Sequence, residues 1–157
     1  MTAAALAIGP ATFPVMRIRS DLLGDIEATE EQLMEFGEGL FGFPECRRFA
    51  LLPGARDGTF WLQSAEHSAL AFLLVDPFLH VPGYEVDVPK GDLHELRVSS
   101  PDEVAVLGIV TLPRTRDERP TVNLQGPIAL HLRARVGRQI VLPESAWGVR
   151  HEIDLKR

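Results

Sequence analysis

Residues 121–130 read TVNLQGPIAL. Apolar residues suited to a buried strand surround the polar pair Asn123 and Gln125, and Gly126-Pro127 follows at once. Proline removes a ladder donor and glycine weakens a strand interior, so this dipeptide marks a bend or bulge in the strand. The Asn123 amide both donates and accepts, and it can bond backbone groups freed at such a bend. A structural role for Asn123 therefore comes before a chemical one.

Outward from this stretch, short apolar segments of strand length recur at residues 48–52, 60–64, 69–75, 84–88, 104–112, 128–135 and 139–142. Most are rich in Val, Leu, Ile and Phe and bounded by Pro, Gly or Asp, the pattern of an antiparallel sheet that closes or folds over itself. VMRIRSDLLGDIEA, residues 15–28, places apolar residues at period two around polar residues 21–24, a hairpin signal. Thr29-Glu30-Glu31-Gln32 is a capping box followed by Leu33, Met34 and Phe36, which predicts a helix of one or two turns. GEGLFGFP, residues 37–44, sets glycines and a proline among large apolar groups and predicts a loop or bulged strand laid on the core. Residues 90–96, with Asp92 in the first turn, predict another short helix, residues 101–103 a turn, and RTRDERP, residues 114–120, a flexible charged loop. The connections are too short for crossover helices. The expected fold is mainly β: one small antiparallel β-barrel-like domain over residues 15–157, with one or two short helices, behind a flexible extension at residues 1–14.

The 157 residues are 45% hydrophobic and 24% charged, the composition of a soluble globular domain. A single cysteine, Cys46, excludes an internal disulfide and a cysteine-based zinc cage and points to a reducing compartment. The N-terminus lacks the basic region of a signal peptide, and no apolar run approaches the roughly 20 residues of a membrane span, so the cytoplasm is the expected location. The net charge of −6 is localised: residues 1–46 carry eight acids against two arginines, whereas residues 47–157 carry 14 acids and 14 bases. An acidic face repels phosphate backbones and attracts basic partners, which disfavours direct nucleic-acid binding; a solvated face kept for solubility is the plainer alternative.

No catalytic constellation stands out. The five histidines form no His-x-x-x-His or His-x-His pair, so neither a metal nor a cofactor is expected. Ser64 lies in LQSAEH outside any Gly-x-Ser-x-Gly elbow, and the glycines at 37, 39 and 42 form no phosphate-binding loop. What remains are polar residues punctuating apolar segments: Gln63 with Ser64, Asp76 with Pro77, Asn123 with Pro127, and Arg150-His151. Asp76 before a proline is placed to cap backbone donors freed where a strand ends.

Taken in order, EGLFGF (38–43), FWLQS (60–64), AFLLVDPF (71–78), Tyr84, VLGIVTLP (106–113), TVNLQGPI (121–128) and QIVL (139–142) leading to Val149-Arg150-His151 closely resemble the FliW family of flagellar assembly factors. Each motif alone is weak, but this order and spacing are specific, and the similarity runs from about Val15 to His151. Two departures stand out. The family's usual Gly-Leu-Pro-Gly-Phe has Phe41 in the proline position, which predicts a less rigid loop, and the aromatic-Pro pair before Arg-His becomes Trp147-Gly148-Val149.

The resemblance implies a small β-barrel-like fold, no enzymatic activity, and two protein partners. These are flagellin, bound through its C-terminal helical region in a chaperone-like way, and CsrA, a dimeric RNA-binding repressor of flagellin translation. Partner switching would then couple translation to export, and the free protein is expected to be monomeric. Two binding surfaces are expected: acidic residues Glu30, Glu31, Glu35 and Glu38 for a basic partner, and an apolar groove near Leu40, Phe41, Phe43, Phe78 and Tyr84 for flagellin helices. The alternative is a β-barrel module that binds RNA or a small ligand directly, for which Arg133, Arg135 and Arg138, alternating along a strand, form the one candidate basic cluster.

Overall fold

A computed structural model describes residues 15–142 and 146–155; the expected extension at residues 1–14 lies outside them. The chain opens with a hairpin of β1 (Val15–Ser20) and β2 (Gly24–Thr29), paired from Val15 with Thr29 to Ser20 with Gly24. The Ser20 hydroxyl accepts from the Leu23 N–H at 2.9 Å in the turn, and Gly24 takes the positive φ, +78°, that a side chain would resist.

The Thr29 capping box forms, with the Thr29 N–H donating to Gln32 Oε1 at 2.9 Å, but it starts only a single 3₁₀ turn, Glu30–Gln32. The expected helix stops there because Leu33 is already extended and the chain enters β3 (Leu33–Glu35). Met34 and Phe36, two residues apart, are both buried, which is strand periodicity and not helical periodicity.

β4 (Arg48–Pro53), β5 (Thr59–Ser64), β6 (Ala71–Val75), β7 (Ala105–Thr111) and β8 (Thr121–His131) follow as antiparallel neighbours. β9 (Val136–Gln139) pairs antiparallel with the end of β8 and meets β3 in a short parallel contact, Glu35 with Val136, which closes a seven-stranded barrel. β10 (His151–Glu152) pairs with the start of β8. Two short helices lie on connections: α1 (Pro77–His80), started by Asp76, whose carboxylate accepts from the Phe78 N–H at 2.9 Å, and α2 (Lys90–Glu95).

Three expected strands are corrected. Of residues 139–142 only Gln139 lies in a strand, as the end of β9, while Ile140 and Leu142 follow β8 through bonds from their N–H groups to the Pro127 and Gln125 carbonyls. Residues 84–88 form no strand, although they alternate, because both edges of β6 are already taken by β5 and β7. The strand expected over residues 128–135 is the far half of β8, which begins at Thr121 and stops at His131. Residues 132–135 turn, with Arg135 at φ +58° and its N–H donating to the Leu132 carbonyl. Arg133 and Arg135 are thus turn residues, and only Arg138 stands on a strand, β9.

Side chains alternate across each strand, and the two faces fill different cores. Phe49, Leu62, Leu74, Ile128 and Leu130 join Met34, Phe36 and Leu107 inside the barrel, with the Phe36 and Phe49 rings edge to face at 5.2 Å. The opposite faces are covered in three places. The β1–β2 hairpin packs on Ala50 and Leu52; Val81, Tyr84, Trp147 and Ile153 cover Val75, Val110, Val122 and Leu124; and Leu96 covers Ala129 and Ile140.

Gly137 sits where a Cβ would strike the Phe36 ring and Leu130. Gly137→Ala is therefore expected to destabilise the fold by about 1–3 kcal/mol through overpacking. A thermal or urea unfolding curve checks this, and a midpoint unchanged from the parent protein would refute the tight β3–β9 closure.

Candidate functional site

β8 departs from regular pairing where the sequence signalled a bend. Leu107 faces Ile128 and Ile109 faces Asn123, so residues 124–127 of β8 stand opposite Gly108 alone. Asn123 holds this bulge: its Oδ1 accepts from the N–H groups of Gln125 at 3.1 Å and Gly126 at 2.9 Å. The Pro127 and Gln125 carbonyls accept from Ile140 and Leu142, and the Leu124 N–H donates to the Gly148 carbonyl. Asn123 and Pro127 are thus structural.

Gln139 carries the bulge outward to the surface. Its Nε2 donates to the Gly126 carbonyl at 2.9 Å, and its Oε1 accepts from the Phe41 N–H at 3.0 Å. Phe41 occupies the corner of a tight turn in which Leu40 and Phe43 exchange backbone bonds and Gly42 adopts φ +89°. A type II turn needs that positive φ at its third residue, while its second accepts residues other than proline, so Phe41 is compatible with the turn seen here. Leu40 is buried and Phe43 half-buried against the main core, while Phe41 is 57% exposed. The turn borders a cleft of about 470 Å³ whose lining includes Glu35, Glu38, Phe41, Glu95, Arg97 and Arg138.

The acids expected to meet a basic partner are exposed, and three of them have partners of their own. Glu30 pairs with Arg135 at 3.2 Å, Glu38 with Arg138 at 3.2 Å and Glu35 with Arg48 at 3.9 Å; Glu31 has no ion pair among the described residues. Arg138 also binds Asp92, and these two carboxylates push its pKa further up. Two of the three arginines of the RNA alternative are therefore already neutralised.

The structure divides the expected apolar groove in two. Leu40, Phe41 and Phe43 belong to the turn, whereas Phe78 and Tyr84 belong to a ladder of rings: Phe78 to Tyr84 at 5.3 Å, Tyr84 to Trp147 at 5.4 Å, and Trp147 to His151 at 5.6 Å. Phe78 is 53% exposed, Tyr84 is buried and Arg150 is exposed. Trp147, which sequence reasoning treated only as a departure, is the centre of this ladder.

Gln63 and Ser64 are fully buried. The Gln63 amide donates to the Ser64, His67 and Ser68 carbonyls, and the Ser64 hydroxyl accepts from the N–H groups of Glu66 and His67 at 3.0 Å. Ser64 thus ties a turn instead of facing a substrate. No spacing in the sequence pairs two metal ligands, yet this turn brings His67 to Glu45 and Cys46.

The family model described as FliW protein matches residues 17–153. The chain is 35% identical to the flagellar assembly factor FliW of Treponema denticola over 138 residues, covering 88% of this chain and 93% of that one. It is 36% identical to the counterpart from Bdellovibrio bacteriovorus over 145 residues, covering 90% and 81% respectively. A crystal structure of the flagellar assembly factor FliW superposes with a TM-score of 0.80 at 33% identity, over 87% of this chain and 96% of that chain.

Gln139→Ala removes both ends of the link between the bulge and the turn. It is expected to cost about 1 kcal/mol and to speed amide hydrogen exchange at Phe41, leaving β4 and β5 unchanged. Exchange at Phe41 equal to that of the parent protein would show that the turn does not depend on this hook.

Proposed function

Because the chain belongs to the FliW family of flagellar assembly factors, we propose that it binds flagellin in the cytoplasm as a chaperone and antagonises the translational repressor CsrA, exchanging one partner for the other. The observation that carries this reading is the exposed ring of Phe41 on a turn fixed by Gln139, beside an acidic rim. A helix docks by placing apolar anchors against a surface that is already ordered, since pre-ordering lowers the entropy lost on binding. The cleft around Phe41 is thus the proposed seat of a flagellin C-terminal helix.

CsrA binds RNA, so its surface is basic, and the acids at Glu30, Glu31, Glu35 and Glu38 suit it. Exposed ion pairs are worth about 0–1 kcal/mol each, so a partner's cations can replace Arg48, Arg135 or Arg138 at little cost. Glu35 and Glu38 line the Phe41 cleft as well as belonging to the acidic set. Occupants of the two surfaces would therefore meet, and such overlap makes binding of one partner oppose binding of the other. Direct RNA binding is disfavoured by the pairing of Arg135 and Arg138 with acids. An electrophoretic shift with single-stranded RNA in the absence of CsrA would restore that alternative.

Calorimetric titration with flagellin from the same organism, and with a copy lacking the C-terminal helix, tests the reading. One-to-one binding is expected with the first and none with the second. Phe41→Ala should weaken flagellin binding about tenfold or more, as for a buried aromatic anchor, while retaining its thermal midpoint. A folded variant with full affinity would remove Phe41 from the interface and leave the Phe78 ladder as the seat. The double variant Glu31→Lys, Glu35→Lys should weaken CsrA binding and flatten its salt dependence; the same affinity across salt concentrations would exclude the acidic surface.

A further inference from the structure

We propose that Glu45, Cys46 and His67 form a binding site for a thiophilic divalent cation, with Zn²⁺ the best match. One carboxylate oxygen, the Cys46 Sγ and one imidazole nitrogen lie within 4.8 Å of one another. Tetrahedral zinc with bonds of about 2.0–2.3 Å sets its ligand atoms about 3.5 Å apart, so closure by about 1 Å is needed. Glu45 and His67 are exposed and can rotate to supply it, while Cys46 is buried beneath them. Thiolate, imidazole and carboxylate together suit zinc, and three protein ligands leave a fourth position for water.

Side-chain bonds fix the backbone around these residues. Phe49 pairs with Ser64 at the ends of β4 and β5, and residues 46 and 67 each lie three positions beyond that pair. The Ser64 hydroxyl and the Gln63 amide hold the turn that bears His67, and the Ser64 hydroxyl also bonds the Cys46 sulfur. One Glu66 oxygen accepts from the N–H groups of Arg47 at 3.0 Å and Arg48 at 2.9 Å, which ties this turn to the entry of β4. These bonds fix the backbone that carries the three ligands, and the Ser64 hydroxyl holds the Cys46 sulfur directly.

The local charge also suits a cation. Burial raises the Cys46 thiol above its ordinary pKa, and the carboxylates of Glu45 and Glu66 push it the same way. Binding of the ion to the thiol exchanges one proton: the S–H bond breaks, the Zn–S bond forms, and the proton passes to solvent.

The test is titration of the full chain with Co²⁺ under reducing, anaerobic conditions, followed by Zn²⁺. One Co²⁺ per chain is expected, with a thiolate-to-cobalt charge-transfer band in the near ultraviolet that Zn²⁺ abolishes. Cys46→Ser should remove the band. His67→Ala, at an exposed side chain whose loss leaves the turn intact, should weaken binding at least tenfold, and Glu45→Gln should weaken it less. Absence of the band in the folded wild-type protein would overturn the proposal. So would unchanged affinity in both His67→Ala and Glu45→Gln, which would mean an adventitious ion on a lone thiol only. If Cys46→Ser fails to fold, the two exposed variants decide the matter.

Discussion

The constraint on which the rest of this structure depends is that β8 must serve three neighbours. Along its length it pairs with β7, and on its other edge it pairs with β10 at Thr121 and Val122 and with β9 at residues 128–131. A straight strand cannot turn its edge between partners so differently placed, and the bulge at residues 124–127 supplies the change of direction. The bulge frees backbone donors, and Asn123 satisfies two of them at the place where Pro127 has none to offer. Gly108 answers from β7, because a Cβ there would run into the Val122 side chain. The barrel closes because one asparagine makes an irregular strand cost little.

The candidate interface is a consequence of that solution. Gln139 lies on β9 opposite Ile128, just past the bulge, and from there reaches both the Gly126 carbonyl and the Phe41 N–H. The exposed corner of the turn is thereby tied to the element that closes the barrel. The same logic applies at the other end of the β4–β5 pair, where Gln63 and Ser64 are buried polar groups devoted to the backbone of one turn. Both surfaces of interest are places where the barrel spends polar side chains to hold loops still, and ordered loops are what a partner or an ion can recognise without an added entropic cost.

Much of this was legible in the sequence, for local reasons. Period-two apolar spacing found the β1–β2 hairpin and most barrel strands, and the Asn123, Gly126, Pro127 grouping announced the bulge before any geometry was known. The failures share a cause. Residues 84–88 alternate like a strand, yet pairing depends on whether an edge is free, and that is decided by β5 and β7. Gln139 and Phe41 are 98 positions apart, so no window of sequence shows their bond. Cys46 and His67 become neighbours only through the β4–β5 register, which is why a search for ligand spacing passed over them. Trp147 was read as a departure from the family pattern, but its ring lies between Tyr84 and His151 and completes a ladder that only tertiary packing assembles.

Charge shows the same lesson most sharply. In the sequence the first 46 residues hold the whole net excess of acid. In space that excess is distributed among partners. Arg48, Arg135 and Arg138 from later in the chain come to Glu35, Glu30 and Glu38. A linear count therefore overstates the acidic field that a partner meets. The acids retain their exposure, however, and each of these pairs sits in water, where its attraction is weak and screened. An acidic surface built from such pairs is nearly neutral at a distance and becomes acidic only as an incoming cation displaces the resident arginine. Such a surface selects partners at contact more than it steers them from afar, a property suited to the partner exchange proposed above.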